Sequence, residues 1–312
     1  MTDTSRQVTV RAPAKINLHL GVGAPRDDGF HPLVTVYQAV GLYDDVTVTE
    51  ADDWSVTTSG TSPWVDLGGV PDSADNIAVR AGRALAAHHG VDRRARVSIA
   101  KGIPVAGGMA GGSADAAAAL LALDRLWGLG TTDDDLLALA AGLGSDVPFA
   151  LVGGTALGTG RGEQVTAVDD AGGWWWVCLF SAEGLSTPSV YAAYDLLTPD
   201  PTEPAPPEAL LATLRSGDHD LLARSLHNDL QAPAVSLRDD LRRTLDDAGA
   251  DAATALLSGS GPTVLALCSG AEEARRLAGA LAEKGYDRLA VVPGPVAGAH
   301  VISYPDPDPE DR

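Results

Sequence analysis

The chain has 312 residues, with 22 Lys and Arg against 42 Asp and Glu and a formal net charge of −20. That charge argues against nucleic acid or an anionic membrane as a partner, since each would add like-charge repulsion, and the length allows two modest domains or one elaborated one. No apolar run reaches the ~18 residues of a membrane span and the first fifteen residues hold no apolar core, so a soluble cytoplasmic protein is expected.

From Gln7 to Thr58 the apolar residues alternate in VTVRA, KINLHLGV, LVTVYQAV, DVTVTE and WSVTT, which predicts several antiparallel strands. Asn76 to His89 predicts an amphipathic helix stopped by Gly90, and RARVSIA a strand. The loop GIPVAGGMAGG comes next, and Ser113 stands at a cap position before a helix that Gly128 ends. A short helix is expected over 133–141, after which GLGSDVPFALVGG interrupts the pattern and can place Asp146 inside a cleft. Beyond about Thr155 come the strand WWWVCLF, a helix over 188–197, a Pro-rich exposed loop, more helices, and two strands around a Gly-Ser-Gly turn. Helix 271–284 and two short strands finish the chain. The expected organisation is an N-terminal domain over 1–155, a C-terminal α+β domain over 156–303, and a disordered tail over 304–312.

Carboxylates are absent between Thr4 and Arg26 and between Arg93 and Ala114. These stretches hold Arg6, Arg11, Lys15 and Arg26, and Arg93, Arg94, Arg96 and Lys101, so both are expected to meet an anion. Glycines between a strand and a helix let backbone N–H groups approach phosphate oxygens, so Pro104 to Ala114 fits a phosphate cradle or a merely flexible turn. It is not a Walker A loop, because no Gly-Lys-Ser/Thr follows. Lys15, one of three lysines, fits either a strand-end residue reaching water or a cleft cation that offsets charge on a transferring phosphoryl group. Asp146, followed by Val147, Pro148 and Phe149, is expected to be partly buried, with Lys15 as a possible partner. Cys178 and Cys268 lie in apolar runs and make no metal site, while Trp174, Trp175 and Trp176 suit packing.

Pro13-Ala14-Lys15, Pro104 to Ala114 and Ser258 to Thr263 together resemble the GHMP small-molecule kinases. The resemblance runs from about Val10 to Val301 and is closest to the branch acting on a cytidyl-diphosphate-linked methylerythritol. It is carried further by Gly29-Phe30-His31, GSDVPF, GTGRGE at 158–163, STP at 186–188 and HNDL at 227–230. It implies an α+β, two-domain fold with the active site in the cleft between the domains. The implied reaction is transfer of the ATP γ-phosphoryl group to the 2-hydroxyl of that substrate, in non-mevalonate isoprenoid precursor biosynthesis. Lys15 and Asp146 inherit the catalytic roles: Asp146 would accept or orient the hydroxyl proton, and Lys15 would hold Asp146 ionised and stabilise the phosphoryl charge. The ATP segment maps to Pro104, Val105, Ala106, Gly107, Gly108, Met109, Ala110, Gly111, Gly112, Ser113 and Ala114, with Lys101 and Asn76 near the adenosine. Phe30, His31 and Tyr191, the last following Thr187-Pro188, match the cytosine site, and Asn17 lies near the substrate. ATP is then the co-substrate, Mg2+ is expected with Ser113 as a contact, and the partner is a small molecule. Another kinase of the same family and a non-catalytic ligand sensor are the alternatives; a sensor would need neither Lys15 nor Asp146.

Overall fold

The computed structural model describes residues 6–303; the expected tail over 304–312 lies outside the described residues. In chain order the elements are β1 (Gln7–Val22), β2 (Leu33–Ala51), β3 (Ser55–Gly60), α1 (Ile77–His89), β4 (Arg94–Lys101), α2 (Gly111–Trp127), α3 (Asp133–Leu143), α4 (Val147–Val152), β5 (Thr155–Thr159), β6 (Gln164–Ala167) and β7 (Trp174–Leu179). They continue with α5 (Thr187–Leu197), α6 (Glu208–Ser216), α7 (His219–Ser225), β8 (His227–Asn228), α8 (Gln231–Leu237), α9 (Asp240–Gly249), β9 (Thr254–Leu257), β10 (Val264–Cys268), α10 (Ala271–Glu283), β11 (Leu289–Gly294) and β12 (His300–Ser303).

The first four strand-like runs join into two long strands, because β-bulges bend the paired chain without breaking the apolar alternation. One register shift falls between Pro13 and Ala14 and another between Asn17 and His19, so the bulges flank Lys15. The larger sheet runs β12-β1-β2-β4-β3, with β5 added to β2, β6 to β5 and β8 to β1. β5 and β6, on the far side of position 155, therefore belong to the same sheet as the N-terminal strands. The second sheet runs β11-β7-β10-β9.

α2 packs on β1 and β2, and its buried alanines at 114 and 116–119 allow the close approach. α1 begins as expected, with Asn76 Oδ1 accepting from Ala78 N at 2.9 Å. α2 does not begin at a Ser113 cap: the helix starts two residues earlier, at Gly111, with Ala110 as the flanking residue. The glycines that free the loop also leave the first N–H groups of α2 without a side-chain cap. GLGSDVPFALVGG is only partly irregular, since α4 forms within it and holds Asp146 at its N-terminal edge. The two sheets meet through Trp176, which donates to Gln38 Oε1 at 3.0 Å, and through Gly41, where a Cβ would lie 2.8 Å from Pro293 Cδ.

Candidate active site

One cavity of about 900 Å³ lies between the two parts of the chain. Strand alternation aims Lys15 and Asn17 at it while Ala14, Ile16 and Leu18 enter the core. Lys15 Nζ donates to Asn17 Oδ1 at 2.7 Å and lies 3.8 Å from Asp146 Oδ2, so the expected pair forms. Asn17 is fixed in turn by its Nδ2, which donates to Thr35 Oγ1 at 2.8 Å. Tyr37, opposite Asn17 in the β1–β2 register, donates its hydroxyl to Asp146 Oδ1 at 2.9 Å. Burial, then the charge of Asp146, holds that phenol well above its ordinary pKa, so it serves as a donor. Phe149, on the first turn of α4, packs on the Tyr37 ring at 4.9 Å and so fixes the helix that carries Asp146.

Opposite this pair runs the glycine loop. Ala106 and Ala110 adopt φ values of 54° and 58°, a left-handed geometry that costs L residues roughly 1–2 kcal/mol each. Such strain persists only where neighbours enforce it, and here the enforcing element is the Ser258-Gly-Ser-Gly turn. Ser258 Oγ donates to Gly108 O at 3.1 Å, and a Cβ on Gly108 would overlap Ser258 O. Pro104 to Gly108 and Ala110 to Gly112 line the cavity, whereas Met109 is buried in the core with Ala114. Met109 nonetheless ties the loop to β1, since Lys15 N donates to its carbonyl at 3.2 Å.

Lys101 and Asn76 also line the cavity, but their polar atoms are engaged by the protein. Asn76 is occupied by the α1 cap and by Pro71 O. Lys101 Nζ lies 2.6 Å from both Asp44 Oδ2 and Asp115 Oδ2, all three side chains being buried. Burial opposes the Lys101 ammonium, but the charges of Asp115 and Asp44 outweigh it and hold its pKa above the ordinary value. Burial likewise lifts the Asp115 carboxyl well above the usual range, against the pull of Lys101. Asp44 Oδ1 accepts from Gly102 N and Ile103 N at 2.7 and 2.9 Å, so this triad anchors the loop from beneath.

The two acid-free stretches do not form an anion-facing surface. Arg11 pairs with Asp45, Arg93 with Glu50, Arg94 with Asp92 and Arg26 with Asp28. β2 supplies Asp45 and Glu50 from the neighbouring strand, Asp28 and Asp92 stand just outside the stretches, and only Lys15 and Lys101 of these cations reach the cavity. Ser113 is not on the cavity wall either, and among the described residues no cluster of three or more His, Cys, Asp or Glu could hold a metal ion. The protein donors do not make a cage for Mg2+.

At the far end stand Phe30, half-exposed, and the buried His31, whose ring lies 4.9 Å from Tyr191. His31 Nε2 is 2.8 Å from Asp195 Oδ1, on α5 one turn after Tyr191. Ser186 caps α5, and Thr187 Oγ1 lies 2.8 Å from Ser260 Oγ, joining α5 to the glycine turn.

Two family models match this chain: the GHMP kinases N terminal domain over residues 76–154, and GHMP kinases C terminal over residues 210–287. The chain belongs to the GHMP kinases. The 4-diphosphocytidyl-2-C-methyl-D-erythritol kinase of a Nocardioides species is 62% identical, over 95% of this chain and 100% of that one. The enzyme of the same name from Streptomyces avermitilis is 50% identical, over 95% and 99%. A crystal structure of 4-(cytidine 5'-diphospho)-2C-methyl-D-erythritol kinase is similar with a TM-score of 0.74 and 31% identity, covering 93% of this chain and 100% of that one. The structure of this GHMP kinase adds Tyr37, Asp195, Ser260 and Arg161 to the cavity wall. Asp195 was within reach of sequence reasoning, four residues after Tyr191 on one helix face, whereas Tyr37 alternates like any half-buried strand residue.

Proposed function

We propose that this GHMP kinase phosphorylates the 2-hydroxyl of 4-diphosphocytidyl-2-C-methyl-D-erythritol with ATP, a step of non-mevalonate isoprenoid precursor formation. The observation that carries the reading is the Lys15–Asp146 pair at 3.8 Å, held by Asn17 and Tyr37 and facing the glycine loop across one cavity. The uncapped N–H groups of Gly111 and Gly112 and the positive end of α2 would receive the ATP phosphates. The acceptor oxygen forms a bond to the γ-phosphorus while the bond to the β,γ-bridging oxygen breaks, releasing ADP, and the hydroxyl proton passes to Asp146. Lys15 offsets charge on the transferring group. Phe30 and Tyr191 would stack on the cytosine, with His31 at its polar edge and Thr187 near the substrate. Lys101 and Asn76 act on ATP through the shape of the loop and of α1, and the lobe division near residue 155 belongs to the same reading.

The test is a coupled ADP-release assay with the cytidyl-diphosphate acceptor and with free methylerythritol phosphate. ADP release dependent on the cytidylated acceptor is the expected result. Equal rates on both acceptors would redirect the reading to another small-molecule kinase of the family.

A further inference from the structure

The GTGRGE segment over 158–163 contributes neither Lys15 nor Asp146 nor the glycine loop, yet its arginine is on the cavity wall. It forms the turn between β5 and β6, with Gly160 at φ 74° and Gly162 at φ 101°. The turn is seated on Tyr37: a Cβ on Gly158 would lie 2.6 Å from Tyr37 Cε2, and one on Gly162 would overlap the Tyr37 hydroxyl. That hydroxyl is the one that holds Asp146. Leu33 N donates to Gly160 O at 2.8 Å, which fixes the turn to the start of β2. Arg161 reaches from this seat to the other end of the cavity, where its guanidinium carbon stands 4.9 Å from the centroid of the Phe30 ring. It therefore spans the wall between the reacting end and the base end.

Its guanidinium stands within ion-pair range of Glu163 but makes no side-chain hydrogen bond among the described residues. Glu163 is 3.9 Å from Arg161 Nε, too far for a hydrogen bond, and Glu163 Oε2 already accepts the Arg161 backbone N–H at 2.6 Å. The other cavity cations are committed, Lys15 to Asn17 and Asp146 and Lys101 to two buried carboxylates. An acceptor with a base at Phe30 and a reacting hydroxyl at Asp146 must lay its diphosphate along the stretch between them.

We infer that Arg161 binds the diphosphate of the acceptor and sets the preference for a nucleoside diphosphate over an uncharged nucleoside, an inference that rests on the acceptor reading above. A guanidinium suits this position because its planar fork donates two parallel hydrogen bonds to phosphate oxygens while its flat face covers an aromatic ring.

The experiment measures binding of cytidine, CMP and CDP to the full chain, with the nucleotide site filled by a non-hydrolysable ATP analogue, for wild type, Arg161→Gln and Arg161→Lys. Arg161→Gln should weaken CDP about 10- to 100-fold, the usual worth of hydrogen bonds to a charged group, while cytidine and the ATP analogue hardly change. Arg161→Lys should fall between, keeping the charge but losing the fork. Equal losses for cytidine and CDP would overturn the inference, because an arginine that merely supports Phe30 weakens both alike. An unchanged CDP affinity would overturn it as well. Should the wild type bind the ATP analogue but neither cytidine nor CDP, the acceptor reading fails first and this inference goes with it.

Discussion

Asp146 sits at the N-terminal edge of α4, held by a phenol on one oxygen and faced by an ammonium on the other. Asp146→Asn should keep the fold and ATP binding but lose kcat by roughly 10²–10⁴-fold, the usual share of general acid–base catalysis. Lys15→Ala should be similarly impaired, and the double variant should be much less than multiplicatively worse, since the two act as one unit. Steady-state kinetics of the three variants checks this, and fully independent losses would break the pairing. Lys101 behaves differently, for it is a strut rather than a ligand. Lys101→Met leaves Asp44 and Asp115 buried without their cation, which should cost about 3–5 kcal/mol. Thermal unfolding without nucleotide should show the loss, whereas a lysine acting only on ATP would leave the Tm of the free protein unchanged.

At the scale of elements, the glycine loop separates two roles that its sequence runs together. Gly112 faces open space, its nearest neighbour for a Cβ being Ile77 Cγ2 at 4.0 Å, so Gly112→Val should fold normally and raise the ATP KM at least tenfold by blocking backbone approach to phosphate. Circular dichroism and ATP titration together decide it; normal ATP affinity in a folded Gly112→Val protein would place the nucleotide elsewhere. Much of this was legible in the sequence. Asn76, Gly90 and Gly128 marked helix ends because capping chemistry is local, and the turn over 258–261 showed itself by its glycines. What stayed hidden depends on partners distant along the chain. Lys101 meets Asp44 57 residues away, Tyr37 meets Asp146 109 residues away, and Arg11 and Arg93 of the acid-free stretches pair with carboxylates of the distant β2. The bulges of β1 were also invisible, since each shifts register without interrupting the apolar alternation.

Across the whole molecule, the C-terminal half returns to the first sheet at β8, where His227 and Asp229 dock beside His19. Burial, with a smaller contribution from His227, pushes the His19 imidazole down to about 4. The folded state therefore takes up fewer protons there than the unfolded chain, and stability present above about pH 6.5 is lost as pH falls toward 4. His227 is raised by its hydrogen bond to Asp229, so its contribution is already complete below about pH 6.5, is lost only as pH rises above that, and does not cancel the slope. Tm measured from pH 7 to 4 should fall less steeply in His19→Gln than in wild type, and identical slopes would remove His19 as the cause. The same sheet has a consequence for synthesis on the ribosome. Thr9 pairs with Ser303, so the edge of β1 over Thr9 to Arg11 stays unpaired until a segment about 290 residues later has been made. At ~5–20 residues per second that wait is on the order of 15–60 s, during which Thr9 to Arg11 present an unpaired edge to neighbours on the polysome. Slower translation anywhere between Thr9 and Ser303 would lengthen that exposure.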